Sequence, residues 1–248
     1  MKVSIITVVY NGEKYIDDCL SSVMAQDYGH IEYIVIDGGS TDQTLAIVER
    51  HRHGIAQLVS EKDKGMYDAL NKGISLATGE VLGILNADDM LASPQVISKV
   101  VERLSASGAD GVYGNLNYIH PETRKIIRKW ISKPFTKRAI ELGWMPAHPT
   151  LYLKRELFGR YGGYSLNFGT AADYELMLRF LYRYRVKAVF LDELMVNMRV
   201  GGMSNASMNH RYHALVNDYR ALKANKVPMS WLTLALKKLS KISQFLLI

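Results

Sequence analysis

Two adjacent carboxylates, Asp88 and Asp89, follow directly on the apolar run of residues 81–85. Such a run is typical of a strand in a sheet that is covered on both faces. In an open α/β sheet, ligands bind beyond the carboxyl ends of the strands. Two acids there are costly unless a divalent cation or another positive group lies beside them. The alternative is an Asp pair that only forms a turn before Met90, since Asp and Asn are common turn residues.

A second acid, Asp37, follows the apolar run of residues 31–36 and precedes Gly38, Gly39 and Ser40. An acid beyond an early strand can accept hydrogen bonds from a ribose or a nucleobase. The chain contains neither the G-x-G-x-x-G pattern nor a Walker A pattern, which argues against a dehydrogenase and against an NTPase. The residues alone leave open a simple turn role for Asp37.

The segments around these acids alternate between apolar runs and amphipathic stretches. Apolar, β-branched runs predict strands at residues 3–9, 31–36, 55–60 and 81–85. Apolar side chains at helical spacing predict helices near residues 16–23, 44–48 and 65–76. Strands that alternate with helices form βαβ units and a mainly parallel sheet. About 90 residues at the start of the chain therefore predict a doubly wound α/β half of the nucleotide-binding type.

The pattern after residue 90 is less regular. It predicts helices at 94–104 and 173–184, strands at 111–114, 150–153 and 188–191, and a hairpin at 118–127. No internal repeat or low-complexity linker divides the chain. We therefore expect one domain over residues 1–204, with a larger half at 1–110, a smaller mixed half at 111–204, and a helical tail at 205–248.

The chain is basic for its size. Its 31 Lys and Arg residues and 24 Asp and Glu residues give a formal net charge of +7, which suits an anionic ligand or an anionic membrane surface. No nucleic-acid partner is expected, because the sequence has no recognised binding module and no aromatic–basic interleaving. The single cysteine, Cys19, excludes an internal disulfide framework. With no signal peptide apparent, we expect a cytoplasmic protein.

The tail has its own pattern. At helical period, residues 231–248 place most apolar side chains on one broad face and Lys237 and Lys241 on the other. The segment is too short and too charged to span a bilayer. It suits the surface of an anionic membrane, as in a peripheral protein on the inner face of the plasma membrane. A helix packed back on the domain is the equal alternative.

Four blocks of the first half resemble the opening of a family 2 glycosyltransferase with a GT-A fold. They are residues 4–12, 36–44, 65–73, and 77–80 together with 85–89. The resemblance implies a hexosyltransferase that moves a sugar from a nucleotide-diphosphate-sugar, first of all a UDP-sugar, to a hydroxyl of a saccharide or lipid-linked acceptor. It further implies inversion at the anomeric carbon and a place in bacterial surface-polysaccharide biosynthesis.

The resemblance also assigns donor and metal ligands. Asp88 and Asp89 occupy the positions of the family's D-x-D-type motif, which holds the ribose and a Mg²⁺ or Mn²⁺ on the diphosphate. Such a hard cation prefers oxygen ligands and neutralises a leaving diphosphate. The residues implied for nucleotide-sugar binding are Thr7, Val9, Asn11, Asp37, Lys64, Asn71 and Asp88.

Two positions depart from the family pattern. Asn86 replaces the first acid often seen in the motif, so the metal would depend on the two acids that follow. Leu70 stands where many relatives carry Arg, and Lys64 or Lys72 would have to supply that phosphate-side cation. These departures keep an alternative function open, namely a non-catalytic nucleotide-sugar-binding or scaffold subunit.

The second half supplies a candidate general base, Asp173. An inverting member of the family uses one carboxylate to deprotonate the acceptor hydroxyl, and that carboxylate must lie within hydrogen-bonding reach of it. Residues 170–176 resemble the acid-bearing helix start of the family, although Ala172 replaces the usual Glu. Asp173 as a mere helix N-cap is the alternative, and Glu175 is the reserve candidate. The acceptor-side candidates are Trp144, His148 and Arg199.

Overall fold

The computed structural model describes the backbone of residues 1–201 and 208–240, and the side chains of all of these except 208–211 and 238–240. Its strands form one mixed sheet. They are β1 (Val3–Val9), β2 (Ile31–Asp37), β3 (Gln57–Ser60), β4 (Val81–Ile84), β5 (Met90–Leu91), β6 (Gly111–Ile119), β7 (Ile126–Trp130), β8 (Tyr152–Lys154) and β9 (Ala188–Arg199).

The sheet has the strand order β3-β2-β1-β4-β8-β6-β9-β5, and β7 pairs with β6. The first four strands are parallel, with Val9 opposite Asp37 and Ile6 opposite Ile84. Their carboxyl ends therefore meet at one edge of the sheet. β8 is antiparallel to both β4 and β6, and β6 is parallel to β9, so β4, β6 and β9 run in the same direction. The predicted doubly wound first half and mixed second half are both confirmed.

Helices cover both faces of the sheet. In the described part of the chain they are α1 (Ile16–Met24), α2 (Thr44–Arg50), α3 (Met66–Leu76), α4 (Val96–Ser107), α5 (Lys137–Glu141), α6 (Glu156–Tyr161), α7 (Ala172–Met177), α8 (Met208–Ala224) and α9 (Ser230–Ser240). A π-helical segment, Leu178–Arg183, continues α7. One core cluster includes side chains of α3 and α7, and the other includes side chains of α1 and α4.

The helices of the first half lie where the apolar spacing predicts them. The α1 helix buries Ile16, Cys19, Leu20 and Val23, which share one face at a period of 3.6 residues. The α3 helix lies close on β1 because it carries Gly73 at the contact. A Cβ atom there would lie 2.5 Å from Cγ2 of Ile6, closer than two carbon atoms can approach.

Two strands of the second half are longer than predicted. We expected strands at 111–114 and 188–191, whereas β6 and β9 extend to Ile119 and Arg199. The polar residues Asp192 and Glu193 interrupt the apolar pattern of β9. Asp192 accepts a hydrogen bond from Asn115 on β6, and Glu193 pairs with Lys99 on α4. The short helices α5 and α6 were not predicted, because such segments carry too few turns for a periodic signal.

The described part of the tail packs back on the domain. Thr233 is 1% exposed and donates a hydrogen bond to the carbonyl oxygen of Glu141. Lys237 Nζ lies 2.7 Å from Asp218 Oδ2 and 3.3 Å from the centroid of the Tyr174 ring. The predicted polar face thus faces protein, whereas Trp231 is 66% exposed. Residues 241–248, including Lys241, lie outside the described residues. Within the described chain, no helix combines the length and apolar character needed to cross a membrane.

Candidate active site

The segment between β4 and β5 holds Asp89 in a fixed position. Asp89 is 1% exposed. Its Oδ1 accepts a hydrogen bond from the backbone N–H of Arg199 at 3.1 Å, and its Oδ2 accepts one from Asn86 Nδ2 at 3.0 Å. Both oxygens are therefore bonded to protein donors. Asn86, which departs from the family motif, supports the loop through its amide.

Asp88 is the more open of the two acids. It is half-buried, and among the described residues no other side chain lies within hydrogen-bonding distance of its carboxylate. Burial raises the pKa of Asp88, while its own backbone amide and Arg199 oppose that shift. Burial also raises the pKa of Asp89, and the charge of Asp88 adds to the effect. A cation beside Asp88 would relieve this repulsion.

The donor set suits a hard cation only in part. The described residues contain no cluster of three or more His, Cys, Asp or Glu side chains that could hold a metal ion. Asp88 offers open carboxylate oxygens, and Mg²⁺ commonly binds through one or two carboxylates together with substrate phosphates. We expected both Asp88 and Asp89 as metal ligands. Each carboxylate oxygen of Asp89 already accepts one hydrogen bond, so Asp88 is the more open of the two expected ligands.

Arg199 lies elsewhere than we expected. It ends β9 and is 4% exposed. Its Nη1 donates to the carbonyl oxygen of Asp88 at 2.8 Å, its Nη2 donates to the Asp18 carboxylate, and its guanidinium lies 4.5 Å from the centroid of the Tyr15 ring. These contacts tie the Asp88 segment to α1. The guanidinium is enclosed between Asp88 and α1.

The loop after β2 places Asp37 and Asn11 together at the same edge of the sheet. Asp37 is fully buried and accepts hydrogen bonds from the backbone of Gly39 and Ser40 and from the Ser60 hydroxyl. Asn11 is exposed, and its Oδ1 accepts from the backbone N–H of Thr41 at 2.9 Å. The carboxylate of Asp37 thus orders the loop beside which a base would lie.

Two other predicted donor residues have side chains inside the protein. Thr7 is fully buried and bonds to the hydroxyl of Tyr33 at 3.0 Å. Val9 is 6% exposed and belongs to the core cluster that includes α1. The Thr7 side chain is therefore not open to a ligand. The reason is that helices cover both faces of β1, so its side chains are buried on either face, and Thr7 shares its face with Ile5 and Val9.

The residues around α3 differ in availability. Lys64 is exposed just before the helix, and its backbone N–H donates to Asp68 Oδ2. Lys72 forms an ion pair with Glu61 at 2.8 Å, which raises its pKa. Asn71 makes two hydrogen bonds of 2.8 Å with the backbone of Tyr164, so it joins α3 to the second half. Lys72 and Asn71 are thus engaged with other residues, and Lys64 remains the candidate for a phosphate contact.

Asp173 and His148 form a pair on the acceptor side. His148 Nδ1 lies 3.2 Å from Asp173 Oδ2, and both side chains are partly exposed. Asp173 lies inside the first turn of α7, whose N-cap is Ala171, and its Oδ1 accepts a hydrogen bond from the backbone N–H of Tyr174 at 2.7 Å. Asp173, His148 and Asn86 line one cavity of about 30 Å³. The cavity brings the candidate base to the segment that carries Asp88.

Tyr118 is a candidate site residue that the sequence analysis did not name. Arg128 covers its ring, with Cζ 3.6 Å from the centroid. Burial raises the pKa of Tyr118, Arg128 opposes that shift, and the charges of Asp89 and Asp173 add to it. Tyr118 therefore lies within electrostatic range of both acids. The sequence contained one signal for Tyr118, because this residue begins the predicted hairpin, and the first strand of that hairpin pairs with the end of β9.

Trp144, an expected acceptor-side residue, packs edge-on against Tyr113, at 6.2 Å between ring centroids, as a core residue does.

The mixed sheet with acids at the carboxyl ends of its parallel strands is the architecture of a GT-A glycosyltransferase. The family described as Glycosyl transferase family 2 matches residues 4–167, and the chain belongs to that family. An uncharacterized glycosyltransferase of Mycobacterium tuberculosis is 37% identical over 179 residues, which cover 71% of this chain and 68% of the relative. A PGL/p-HBAD biosynthesis glycosyltransferase of Mycobacterium bovis is 28% identical over 219 residues, 84% of this chain and 81% of the relative.

Solved structures share the fold. Staphylococcus aureus TarS 1–349 in complex with UDP superposes with a TM-score of 0.71 at 22% identity, over 90% of this chain and 65% of that chain. The same protein in complex with UDP-GlcNAc superposes with a TM-score of 0.71 at 16% identity, and the match covers 99% of this chain and 89% of that chain. A mannosyltransferase of Pyrobaculum calidifontis in complex with GDP-Man and Mn²⁺ superposes with a TM-score of 0.66 at 19% identity, and the match covers 98% of this chain and 74% of that chain. The predicted GT-A fold and family are confirmed.

Proposed function

We propose that the protein transfers a sugar from a nucleotide-diphosphate-sugar, a UDP-sugar first of all, to a hydroxyl of a saccharide or lipid-linked acceptor. One observation carries the proposal. The Asp173–His148 pair and Asn86, which belongs to the same loop as Asp88, line a common cavity at the end of β4. This shared lining supports a single site that uses the candidate base together with the loop of the candidate diphosphate anchor. The UDP-GlcNAc bound to TarS supports the choice of donor.

The donor would lie along the carboxyl edge of β1, β2 and β4. The loop ordered by Asp37, together with Asn11, would border the base and ribose, and Lys64 would approach the phosphates. Asp88 would hold a Mg²⁺ or Mn²⁺, which when bound supplies positive charge to the leaving diphosphate. The Mn²⁺ of the Pyrobaculum mannosyltransferase supports this requirement. Asp89, Asn86 and Arg199 would keep Asp88 in place.

On the acceptor side, Asp173 would take the proton of the attacking hydroxyl. The acceptor oxygen then bonds to the anomeric carbon as the bond to the diphosphate breaks on the opposite face, which inverts that carbon. A base must lie within hydrogen-bonding reach of the proton that it removes. His148 would donate from Nδ1 to the Asp173 carboxylate and keep it oriented, as a hydrogen-bonded partner orients a catalytic base. Tyr118 and Arg128 would border the acceptor.

The setting that we propose is surface-glycan assembly in the cytoplasm, beside the inner face of the plasma membrane. The M. bovis relative is named for PGL/p-HBAD biosynthesis, and this supports a glycan or glycolipid acceptor. The non-catalytic alternative loses support, because the site retains an open acid and a paired base despite the changes at Asn86 and Leu70.

Nucleotide-sugars tested with and without Mn²⁺ provide the decisive experiment. A ligand that binds the native state raises the unfolding temperature, so the correct donor should stabilise the protein in a metal-dependent way and then release its nucleoside diphosphate. Asp88→Asn should lose both effects, whereas Asp192→Asn, on β9 away from the cleft, should keep both. If no UDP-, GDP- or dTDP-sugar stabilises or reacts with the wild-type chain in the presence of Mg²⁺ or Mn²⁺, the proposed function is wrong.

A further inference from the structure

A second, open groove of about 710 Å³ lies away from the candidate active site. It is lined by α4, by the segment that leads into α5, by the end of the π-helical segment and by the start of β9. β9 runs in the same direction as β4. The amino end of β9 is therefore opposite to the edge of the sheet where Asp88 lies, and the groove is distinct from the proposed donor site.

The rim of the groove is cationic. Its lining residues include Arg103, Lys137, Arg185 and Lys187 and contain no carboxylate. All four cationic side chains are exposed, and none of them forms an ion pair with an acid in the described chain. Arg103 donates to the carbonyl oxygen of Phe190 at 3.2 Å, and Lys137 lies 4.7 Å from the centroid of the Tyr182 ring. Part of the formal +7 of the chain is thus concentrated at one place.

The floor of the groove is apolar. Its partly exposed side chains are Phe135 and Phe190, and the almost fully buried Leu181, Tyr182 and Val186 complete it. The lining includes no Asn, Gln, Asp or Glu side chain, the residues that commonly bind sugar hydroxyls. Apolar surface framed by Lys and Arg instead matches an amphiphile, whose anionic head pairs with the cations while its hydrocarbon covers the floor.

We propose that this groove binds the headgroup of an anionic membrane lipid and docks the protein on an anionic bilayer. Charge complementarity and the apolar floor select a phospholipid as the occupant. The described part of the tail gives a second reason, because Lys237 lies 3.3 Å from the centroid of the Tyr174 ring and so faces the domain, whereas the cations of the groove are exposed. Docking of this kind does not depend on which sugar the protein transfers.

Sedimentation with lipid vesicles tests the proposal on the full chain. Vesicles of phosphatidylglycerol and phosphatidylcholine in equal parts should bind the protein at low salt, and phosphatidylcholine vesicles should not. The double variant Arg185→Gln/Lys187→Gln should bind at least tenfold more weakly, given about fivefold for each cation near the surface. The matched control Lys125→Gln/Arg160→Gln removes the same charge from exposed residues outside the groove and should stay within about twofold of wild type. Unchanged donor hydrolysis shows that the variants are folded.

Three outcomes would overturn the proposal. If both double variants lose the same affinity, the attraction is a property of net charge and not of the groove. If the groove variant binds like wild type while a chain ending at residue 240 does not bind, residues 241–248 make the membrane contact. If glycerol phosphate stabilises wild type but not the groove variant, and neither protein binds vesicles, the groove takes a soluble phosphate instead of a lipid.

Discussion

Asp88 and Asp89 are neighbours in the chain, but their contacts give them different roles. Sequence motifs identify the pair, since two acids after a buried strand are visible without a structure. They do not distinguish the two members, because the partners that bind Asp89 include the backbone of Arg199, 110 positions away. Tyr118 went unnoticed for the same reason, as its importance depends on which strands lie side by side.

Substitution of the two acids separates these roles. Asp88→Asn should leave the unfolding temperature unchanged or slightly raised without metal, because it removes a charge whose burial is unfavourable. It should lower metal-dependent transfer by about a hundredfold or more, as loss of a charge-stabilising group commonly does. Asp89→Asn also removes a buried charge, but one oxygen that accepts from Arg199 or Asn86 becomes a donor, so this variant should unfold at a lower temperature than Asp88→Asn. Thermal unfolding and a transfer assay on both variants check this, and a stable, inactive Asp89→Asn protein would contradict it.

Asp173 and His148 should differ in the size of their effects. Asp173→Asn should bind the donor normally and transfer ~10²- to 10⁴-fold more slowly, the usual contribution of a general base. His148→Asn should reduce kcat by roughly tenfold, because it loses the bond that orients the carboxylate but not the base itself. Donor-induced thermal stabilisation serves as the control for binding in both variants. Transfer by Asp173→Asn at near wild-type rates would exclude Asp173 as the base.

At the scale of helices and strands, periodicity predicted most of the first half. Strands such as β1 and β2 read as continuous apolar runs because helices cover both of their faces. The second half was harder, since β6 and β9 carry polar residues that pair with one another, such as Asn115 with Asp192. Helix α5 has only five residues and depends on its contacts with the π-helical segment and with α9.

The contact of α3 with β1 yields a stability prediction. Gly73→Ala places a methyl group 2.5 Å from Ile6 Cγ2 and should destabilise the fold by about 1–3 kcal/mol through overpacking. The matched control is Gly159→Ala in α6, where the added Cβ meets nothing within 4 Å and alanine favours the helix. Urea unfolding measures both. Equal stability of the two variants would show that α3 can move away from the strand at little cost.

Glu32 on β2 supplies a pH-dependent link between elements. Burial alone would raise its pKa, but hydrogen bonds from Lys2, Ser4 and Thr78 outweigh burial and lower the pKa from 4.5 to about 2. A carboxylate whose pKa is lowered on folding stabilises the protein above its ordinary pKa, and that contribution is lost as the pH falls toward the folded value. Glu32→Gln should therefore cost about 1–3 kcal/mol at pH 7 and clearly less near pH 3. Urea unfolding at the two pH values tests this, and a pH-independent difference would refute it.

At the scale of the whole molecule, composition indicated a basic protein but not the position of its charge. The sequence spreads its lysines and arginines along the chain, whereas the fold gathers Arg103, Lys137, Arg185 and Lys187 from three separate segments around one groove. Prediction of that groove would have required the pairing of β6 with β9, which no local pattern contains. The tail illustrates the same limit. Its amphipathic pattern fitted two arrangements, and the contacts of Thr233 with Glu141 and of Lys237 with Tyr174 place its described part on the domain.

The common direction of β4, β6 and β9 sets the distance between the cationic groove and the edge of the sheet that carries Asp88 and Asp89. β6 has nine residues, so it spans about 30 Å at 3.3 Å per residue, and the groove and the acids lie toward opposite ends of such strands. A protein that rests on the bilayer through its groove would hold Asp88, and a donor bound beside it, well above the headgroups, because Asp88 is bonded to Arg199 at the far end of β9. A membrane-anchored acceptor would then have to extend its reactive hydroxyl across that gap. An acceptor with a long glycan chain would then reach the site more readily than the first sugar next to the lipid.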